Sequence, residues 1–189
     1  LELLQYYKYR IEDLGIPVRL NTPVNRRVAA EFDPDVVIVA TGAKVKKPDI
    51  PGVDLPIVHD VRKALSNGDF SKEGPNAVVI GGGKMGLTAA EVLAKQGKKT
   101  AIVESNKTVD FDVSATFKWR HSTLVKQLDI KVYAAARPLR IENGSVKIID
   151  KDGHEKDLPA DIVILAGPPE PIQNLVTELE YFCDELYLI

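Results

Sequence analysis

The 189-residue chain is 44% hydrophobic and 28% charged with a formal net charge of -2, so it is long enough for one large domain or two modest ones. The near-neutral charge, without a long block of one sign, argues against nucleic-acid binding, and no apolar run reaches the roughly 20 residues of a membrane span. The single cysteine, Cys183, excludes an internal disulfide and suits a reducing compartment, so we expect a cytoplasmic protein with no nucleic-acid, membrane or metal partner.

The N-terminal segment predicts a helix and two strands. Apolar side chains recur at helical spacing over residues 1–14, and Gly15 is the residue expected for a left-handed cap. A short strand, residues 16–20, is expected to follow. Further on, DVVIVATG, residues 35–42, is a nearly continuous β-branched run, which is typical of a parallel strand buried on both faces.

A proline-containing connector precedes the next helix. Residues 43–56, AKVKKPDIPGVDLP, contain three prolines and predict an ordered link between two compact units. The following segment, HDVRKALSNG, offers Asp60 as a helix N-cap and Gly68 as the stop of a short helix.

The second half of the chain predicts short strands and turns. IKVYAAA and RPLRIENGSVKIIDKDGHEKDL indicate an antiparallel meander, with hairpin turns at residues 143–144 and 152–153. ADIVILAG, residues 160–167, predicts another buried parallel strand. A helix from about residue 171 is expected to lead to CDELYLI, residues 183–189, which predicts a buried terminal strand.

The central unit, residues 76–104, predicts a strand, a glycine loop, a helix and a second strand. Gly81, Gly83 and Gly86 fill the places of G-x-G-x-x-G, which provide a tight turn, close approach of a pyrophosphate and close packing of the helix. The helix N-terminus offers unpaired N–H groups and a partial positive charge to phosphates. Glu104 ends the second strand, where it can accept hydrogen bonds from an adenosine ribose and repel a 2′-phosphate, which favours NADH over NADPH.

These segments together resemble a known family. PDVVIVATGAKVKKPDIPGVD, GGGKMGLTAAEVLAKQGKKTAIVE, ADIVILAG and CDELYLI, in this order, are similar to the C-terminal flavin and nicotinamide region of the NADH:flavin oxidoreductases. These enzymes are related to 2,4-dienoyl-CoA reductase, 2-enoate reductase and trimethylamine dehydrogenase. The most specific pieces are the turn Ala40-Thr41-Gly42, the IPGV connector and their spacing to the glycine loop. The resemblance covers essentially the whole chain.

The resemblance implies an α/β fold with one domain inserted in another. A Rossmann-like NAD(P)-binding domain with a parallel sheet and an antiparallel meander, residues 55–167, would be inserted in a partial FAD-binding domain of the same three-layer type, residues 1–54 and 168–189. In complete family members an N-terminal barrel with FMN and an iron–sulfur cluster precedes this region. Electrons pass from NADH to FAD and through the cluster to FMN, which reduces an enoyl-type substrate.

Both ends of the chain would lie within the FAD-binding domain of this arrangement. Because the sequence begins at Leu1 rather than Met and stops after CDELYLI, we expect a fragment whose partner is the remainder of its own polypeptide. The isolated fragment is expected to be inactive and not to hold FAD tightly.

The glycine loop, the strand ends and the resemblance define the expected cofactor contacts. These residues are Gly81, Gly82, Gly83, Lys84, Met85, Gly86, Glu104, Ser105, Ala166, Gly167, Ala40, Thr41 and Gly42. No catalytic acid, base or nucleophile is predicted, because nicotinamide and flavin carry the hydride chemistry. Thr88 departs from many relatives, which have an acidic residue there near the nicotinamide. Asp110 and Asp112 are interpreted as loop or helix-cap residues.

Two other functions stay open. One is a non-catalytic structural or electron-relay domain whose nucleotide site is degenerate or binds only ADP, since the matching region of trimethylamine dehydrogenase is regarded as unable to use a nicotinamide cofactor. The other is a disulfide reductase of the same general fold, which would need a redox cysteine pair outside these residues.

Overall fold

Helices and strands alternate along most of the chain. The computed structural model describes residues 2–189, with the backbone alone at residues 63 and 67. The helices of this part are α1 (Glu2–Asp13), α2 (Arg26–Ala30), α3 (Val61–Asn67), α4 (Lys84–Lys95), α5 (Ala115–Gln127) and α6 (Asn174–Leu179). The strands of this part are β1 (Val36–Val39), β2 (Ala43–Val45), β3 (Val58–Asp60), β4 (Asn76–Ile80), β5 (Lys99–Glu104), β6 (Lys131–Ala134), β7 (Arg137–Glu142), β8 (Gly144–Ile149), β9 (Glu155–Ala160), β10 (Ile162–Leu165), β11 (Pro169–Pro171) and β12 (Glu185–Leu188).

The chain divides into two compact units. The larger is the continuous segment Ala43–Pro171, and the smaller combines Leu1–Gly42 with Ile172–Ile189, so the larger is an insertion in the sequence of the smaller. Residues 43–54 and 168–171 belong to the larger unit, because β2 pairs with β11 and the connector packs on the core of the larger unit. Which cofactor each unit binds stays a prediction.

The larger unit is built on a parallel sheet of five strands in the order β3-β10-β4-β5-β6. β4 pairs with β5 on one side and with β10 on the other, and every residue of β10 is buried. The carboxyl ends of these strands lie at one edge of the sheet, and the glycine loop follows β4 at that edge. The predicted α/β, Rossmann-like class with a parallel sheet is confirmed.

Two apolar cores sandwich this sheet. Val79 packs with Leu87 and Leu93 of α4 on the helical face, whereas its neighbour Val78 packs with Ile148 of the meander on the opposite face. The alternation follows from the two-residue period of a strand, since successive side chains point to opposite faces. The unit therefore has three layers: helices, parallel sheet and meander.

The meander is formed by β7, β8 and β9, which pair in antiparallel order. Its two predicted turns are confirmed, and Gly144 and Gly153 have the positive φ angles of 92° and 85° that such turns require. The prediction that IKVYAAA belongs to the meander is wrong, because β6 pairs in parallel with β5. Helix α5 connects these two strands, as a parallel pair requires a crossover connection.

The predicted helix boundaries agree closely with the structure. Asp60 is the N-cap of α3 and accepts a hydrogen bond from Arg62 N, and Gly68 is its left-handed C-cap. In the smaller unit α1 ends before Gly15, whose φ is 63°; the first residue of the predicted helix, Leu1, lies outside the described residues. No helix in residues 2–189 has the length and apolarity needed to cross a bilayer.

The smaller unit differs from expectation in two respects. Residues 16–20 form no strand, since Pro17 lacks a donor and no strand in the described part of the chain pairs with them. β1 and β12 pair in parallel, but against expectation most of their residues are not buried: Ile38 is 62% and Tyr187 50% exposed. A two-stranded ribbon covers neither of its own faces, so a β-branched run alone does not establish burial.

Candidate functional site

The loop after β4 is shaped by its glycines. Gly81 has a φ of +111°, and a Cβ added to it would lie 2.3 Å from the carbonyl oxygen of Ala166. A Cβ on Gly86 would lie 1.9 Å from the carbonyl oxygen of Gly81. Because backbone atoms fill both spaces, the first glycine makes the turn possible and the third lets α4 pack directly on the loop.

Glu104, at the carboxyl end of β5, is tied to this loop. Glu104 is only 4% exposed, and its Oε2 accepts a 2.6 Å hydrogen bond from Gly82 N. Its Oε1 accepts hydrogen bonds from Asn106 N at 2.6 Å, Asn106 Nδ2 at 2.8 Å and Ser105 Oγ at 3.2 Å. Four donors therefore surround this carboxylate, and Oε2 is the oxygen with acceptor capacity left for a ligand.

A second carboxylate lies at the N-terminus of α4. Gly83 is the N-cap, with an extended backbone and no capping side chain of its own. Asp112 supplies the cap from the loop after β5, because Lys84 N donates a 2.7 Å hydrogen bond to its Oδ1. A Cβ on Gly83 would lie 2.9 Å from an oxygen of the same carboxylate. The interpretation of Asp112 as a helix cap agrees with this contact, although the sequence did not indicate which helix it caps.

The backbone of the same segment holds the loop from the other side. Asp110 N donates a 2.8 Å hydrogen bond to the carbonyl oxygen of Gly82, and its Oδ1 lies 3.3 Å from Lys118 Nζ. The contacts of Asp110, Asp112 and Asn106 with the site are not indicated by the glycine motif. They depend on a turn after β5, which brings the chain back to the glycine loop.

The side chains on the first turn of α4 face outward. Lys84 is exposed and Met85 is 42% exposed, so neither side chain is part of the core. Thr88, one turn further on, donates a 2.8 Å hydrogen bond to the carbonyl oxygen of Lys84. Its hydroxyl thus bonds within its own helix.

The carboxyl end of β10 borders the same loop. Ala166 N donates a 2.8 Å hydrogen bond to the carbonyl oxygen of Ile80, and Gly167 follows it. A cavity of about 160 Å³ lies at the ends of β3 and β10, and its lining includes Leu165, His59 and Asp60. The larger unit therefore brings ten of the expected contact residues, those from Gly81 to Gly86 with Glu104, Ser105, Ala166 and Gly167, to the carboxyl edge of one sheet.

The remaining expected contacts belong to the smaller unit. The Ala40-Thr41-Gly42 turn follows β1, and Gly42 has a φ of 71°. Thr41 Oγ1 donates a 2.8 Å hydrogen bond to the carbonyl oxygen of Ile172, and Ile172 N donates one of 2.9 Å to the carbonyl oxygen of Gly42. These bonds join the two chain segments of the smaller unit at the turn.

Two other clusters of polar groups lie away from the loop. His121 Nδ1 of α5 lies 2.6 Å from Glu91 Oε1 of α4, and both residues are buried. At the second hairpin tip, Asp150, Asp152 and His154 are close enough to share a metal ion. Asp150 Oδ2 already accepts a 2.8 Å hydrogen bond from Lys156, and Asp150 Oδ1 accepts from the backbone of the turn, so this cluster stabilises the hairpin.

Comparison with known proteins is consistent with this geometry. The model of the pyridine nucleotide-disulphide oxidoreductase family matches residues 18–186. The chain belongs to this family. Membership of this family implies a domain that binds FAD and NAD(P).

Proteins similar to this chain include several named as reductases. The chain is 29% identical to the bilirubin reductase of Mediterraneibacter gnavus over 89% of its length, and 26% identical to the cinnamate reductase of Clostridium sporogenes over 95%. It resembles the structure of a 2-naphthoyl-CoA reductase in complex with 2-naphthoyl-CoA, with a TM-score of 0.91 and 31% identity over 100% of the chain. These matches confirm the resemblance to the NADH:flavin oxidoreductases.

The matches cover only part of each relative. The chain spans 26% of the bilirubin reductase, 27% of the cinnamate reductase and 28% of the 2-naphthoyl-CoA reductase.

Proposed function

We propose that this chain binds NADH and orients it for hydride transfer to FAD in an enzyme that reduces an enoyl-type substrate. The observation that carries the proposal is the loop between β4 and α4, in which Gly81 and Gly86 have no space for a side chain. Such a loop exposes the N–H groups of a helix start at the carboxyl edge of a parallel sheet, where dinucleotides bind.

The residues present fit the pyrophosphate of a dinucleotide. Gly83 puts no side chain of its own at the first turn of α4, and a phosphate needs such a position without a Cβ to approach the backbone. Lys84 extends from this turn and is exposed, so its ammonium group can reach the phosphates. Bound nicotinamide supplies the hydride, and the protein contributes orientation and exclusion of water.

The preference for NADH over NADPH rests on Glu104. A ribose hydroxyl can donate to Oε2, the oxygen that accepts only the Gly82 N–H among the described contacts. The negative charge would repel a 2′-phosphate at the same position. Ser105 follows Glu104 and is exposed, so we assign it a contact on the adenosine side of the ligand.

We assign the smaller unit to the FAD-binding domain and the larger unit to the NAD(H)-binding domain. The exposed apolar side chains of α1, β1 and β12 are consistent with surfaces that the remainder of the polypeptide covers. In the intact protein the Ala40-Thr41-Gly42 turn would contact FAD, and an N-terminal barrel would carry FMN and an iron–sulfur cluster. A cytoplasmic location, suggested by the single cysteine, stays a prediction.

The contacts of Asp112 and Thr88 favour a second candidate function. Asp112 already accepts from an N–H group of the α4 start, and Thr88 supplies no acid near the nicotinamide. These features are compatible with a structural or electron-relay domain whose nucleotide site takes only ADP.

Calorimetric titration of the 189-residue chain with NADH, NADPH and ADP distinguishes the two functions. The variants are Glu104→Gln and Gly83→Val, with Glu142→Gln as the control, since Glu142 is an exposed carboxylate of the meander. Gly83 has an ordinary φ of -73°, so a side chain there tests space at the loop rather than backbone strain. Circular dichroism verifies that each variant is folded.

The proposed function predicts that NADH binds more tightly than NADPH to the wild type. Glu104→Gln is expected to reduce this preference, Gly83→Val to weaken both dinucleotides by at least about tenfold, and Glu142→Gln to change neither. Binding of ADP but not NADH would favour the structural or relay domain. A folded wild type that binds none of the three ligands would contradict dinucleotide binding altogether.

A further inference from the structure

The carboxylate of Asp112 lies where the glycine loop leaves the backbone of α4 open. Its Oδ1 accepts the N–H of Lys84 at 2.7 Å, and both of its oxygens lie within 3.0 Å of the position that a Cβ on Gly83 would take. The space made available by the second motif glycine is therefore occupied by a negatively charged group of the chain itself.

The N-terminus of α4 has further donors beside this contact. A helix leaves its first four N–H groups without partners inside the helix, here those of Gly83, Lys84, Met85 and Gly86. Leu87 N is the first to bond within the helix, to the carbonyl oxygen of Gly83. Among the hydrogen bonds described for residues 2–189, only Lys84 of the four donates to an acceptor. A phosphate that uses the other three would have to lie next to Asp112.

The backbone around Asp112 is anchored independently of its side chain. Asp110 N bonds to the carbonyl oxygen of Gly82 at 2.8 Å, Val113 N bonds to that of Asp110 at 3.0 Å, and Val113 is buried in the helical core. Asp112 itself is exposed. Its carboxylate can therefore rotate away from Lys84 while the loop keeps its position.

We propose that Asp112 is an affinity-determining residue of the nucleotide site, whose carboxylate mimics a phosphate at the start of α4 and opposes the binding of phosphate-bearing ligands. This inference rests on the proposed function, because it requires that a nucleotide binds at this loop. A pyrophosphate either displaces the carboxylate or binds beside it. In both cases the negative charge of Asp112 lowers the affinity for ADP and NADH, but it leaves the affinity for uncharged adenosine unchanged.

The size of the effect follows from the charge alone. Two unit charges about 4 Å apart in a water-like medium repel each other enough to change an equilibrium about fivefold, and the effect grows as the site loses water. Asp112→Asn isolates this charge, because the amide oxygen of asparagine can still accept the Lys84 N–H. We expect this variant to bind ADP at least about fivefold more tightly than the wild type.

The matched control is Asp129→Asn. This substitution also removes one negative charge. Asp129, however, precedes β6 at the amino edge of the sheet, opposite to the glycine loop. Its φ of 50° is a conformation that asparagine adopts as readily as aspartate. We expect Asp129→Asn to bind ADP within about twofold of the wild type, so a difference between the variants reports position rather than net charge.

The experiment is calorimetric titration of the 189-residue chain and both variants with ADP, NADH and adenosine at one ionic strength. Tighter ADP and NADH binding by Asp112→Asn, with unchanged adenosine binding, supports the inference. Equal or weaker ADP binding by Asp112→Asn overturns it, while NADH binding by the wild type keeps the proposed function intact. If none of the folded proteins binds ADP or NADH, the inference and the proposed function both fail.

An NMR measurement on the wild type does not depend on any variant being folded. The amide signal of Lys84 is expected to shift when ADP is added and not when adenosine is added, since only a phosphate changes its hydrogen-bond acceptor or the charge beside it. An ADP titration that saturates without moving this signal would overturn the inference.

Discussion

The backbone N–H of Gly82 donates a 2.6 Å hydrogen bond to Glu104 Oε2, so the carboxyl end of β5 directly fixes the loop that follows β4. Asn106 bonds to the other oxygen through both its backbone and its side chain. Glu104 therefore has a structural role in the loop in addition to its proposed contact with a ribose.

Glu104→Gln is expected to lower the free energy of unfolding by about 2 kcal/mol, although glutamate and glutamine have the same shape. All four groups around the carboxylate donate hydrogen bonds, and an amide would direct its own N–H groups at some of them. Urea unfolding measures the change, with Glu142→Gln as the exposed control expected within about 0.5 kcal/mol of the wild type. Equal stabilities of the two variants would show that the loop does not depend on this carboxylate.

Gly86→Ala and Gly83→Ala are expected to differ sharply in their effect on the free energy of unfolding, although both replace a glycine of the same loop by alanine. A Cβ on Gly86 meets the carbonyl oxygen of Gly81 at 1.9 Å, and this backbone atom has no room to move. A Cβ on Gly83 meets only the end of the Asp112 side chain, which can rotate. We expect a loss of about 3 kcal/mol or more for Gly86→Ala and less than about 1 kcal/mol for Gly83→Ala in urea unfolding.

Similar losses for the two glycine variants would contradict the expected difference between their surroundings. A small loss for both would mean that the helix can move away from the loop, and a large loss for both would mean that the Asp112 side chain is as constrained as the backbone.

The sequence predicted the features that depend on neighbouring residues. Gly15, Gly68, Gly144 and Gly153 all have the left-handed backbone expected from their turn or cap positions, because each of these conformations is decided within a few residues. The glycine loop was predicted for the same reason, since its three glycines and the flanking strand and helix lie within one short segment.

Features that depend on distant residues were not predicted. Asp112 caps a helix that begins 28 positions earlier, and no local pattern indicates this pairing. Residues 16–20 have an apolar composition but no partner strand in the described chain, and Ile38 is exposed because its sheet has only two strands. Composition gives the tendency to form a strand, whereas pairing and burial depend on what lies beside it.

The buried pair of Glu91 and His121 is expected to couple α4 to α5. Both residues are about 4% exposed or less, so removing one partner leaves a buried polar group without its main contact. We expect His121→Ala to cost about 3 kcal/mol. Arg120→Ala is the control, because Arg120 is exposed and lies 3.9 Å from Glu91; its effect is expected to be below about 1 kcal/mol.

A double-mutant cycle with Glu91→Ala and His121→Ala measures the coupling between the two side chains. We expect a coupling free energy of at least about 1 kcal/mol in urea unfolding. Additive losses would mean that each residue is stabilised by its own packing and that the hydrogen bond contributes nothing.

Asp150 is expected to make the second hairpin of the meander sensitive to acid. The hydrogen bond from Lys156, together with those from the backbone N–H groups of His154 and Asp152, lowers the pKa of Asp150 from 3.8 to about 2. Since the pKa is lower in the folded state, the ionised carboxylate stabilises the fold above pH 3.8, and this contribution is lost as the pH falls towards 2. The free energy of unfolding should therefore decrease over this range.

Asp150→Asn removes this titration, so the difference in unfolding free energy between wild type and variant should be constant above about pH 5 and shrink between pH 4 and pH 2. Lys156→Ala removes the largest cause of the lowered pKa, and the loss should then begin at a higher pH than in the wild type. Carboxyl chemical shifts recorded by NMR during an acid titration locate the pKa directly. A carboxyl group of Asp150 that titrates near 3.8 in the folded wild type would show that Lys156 and the turn backbone do not hold it.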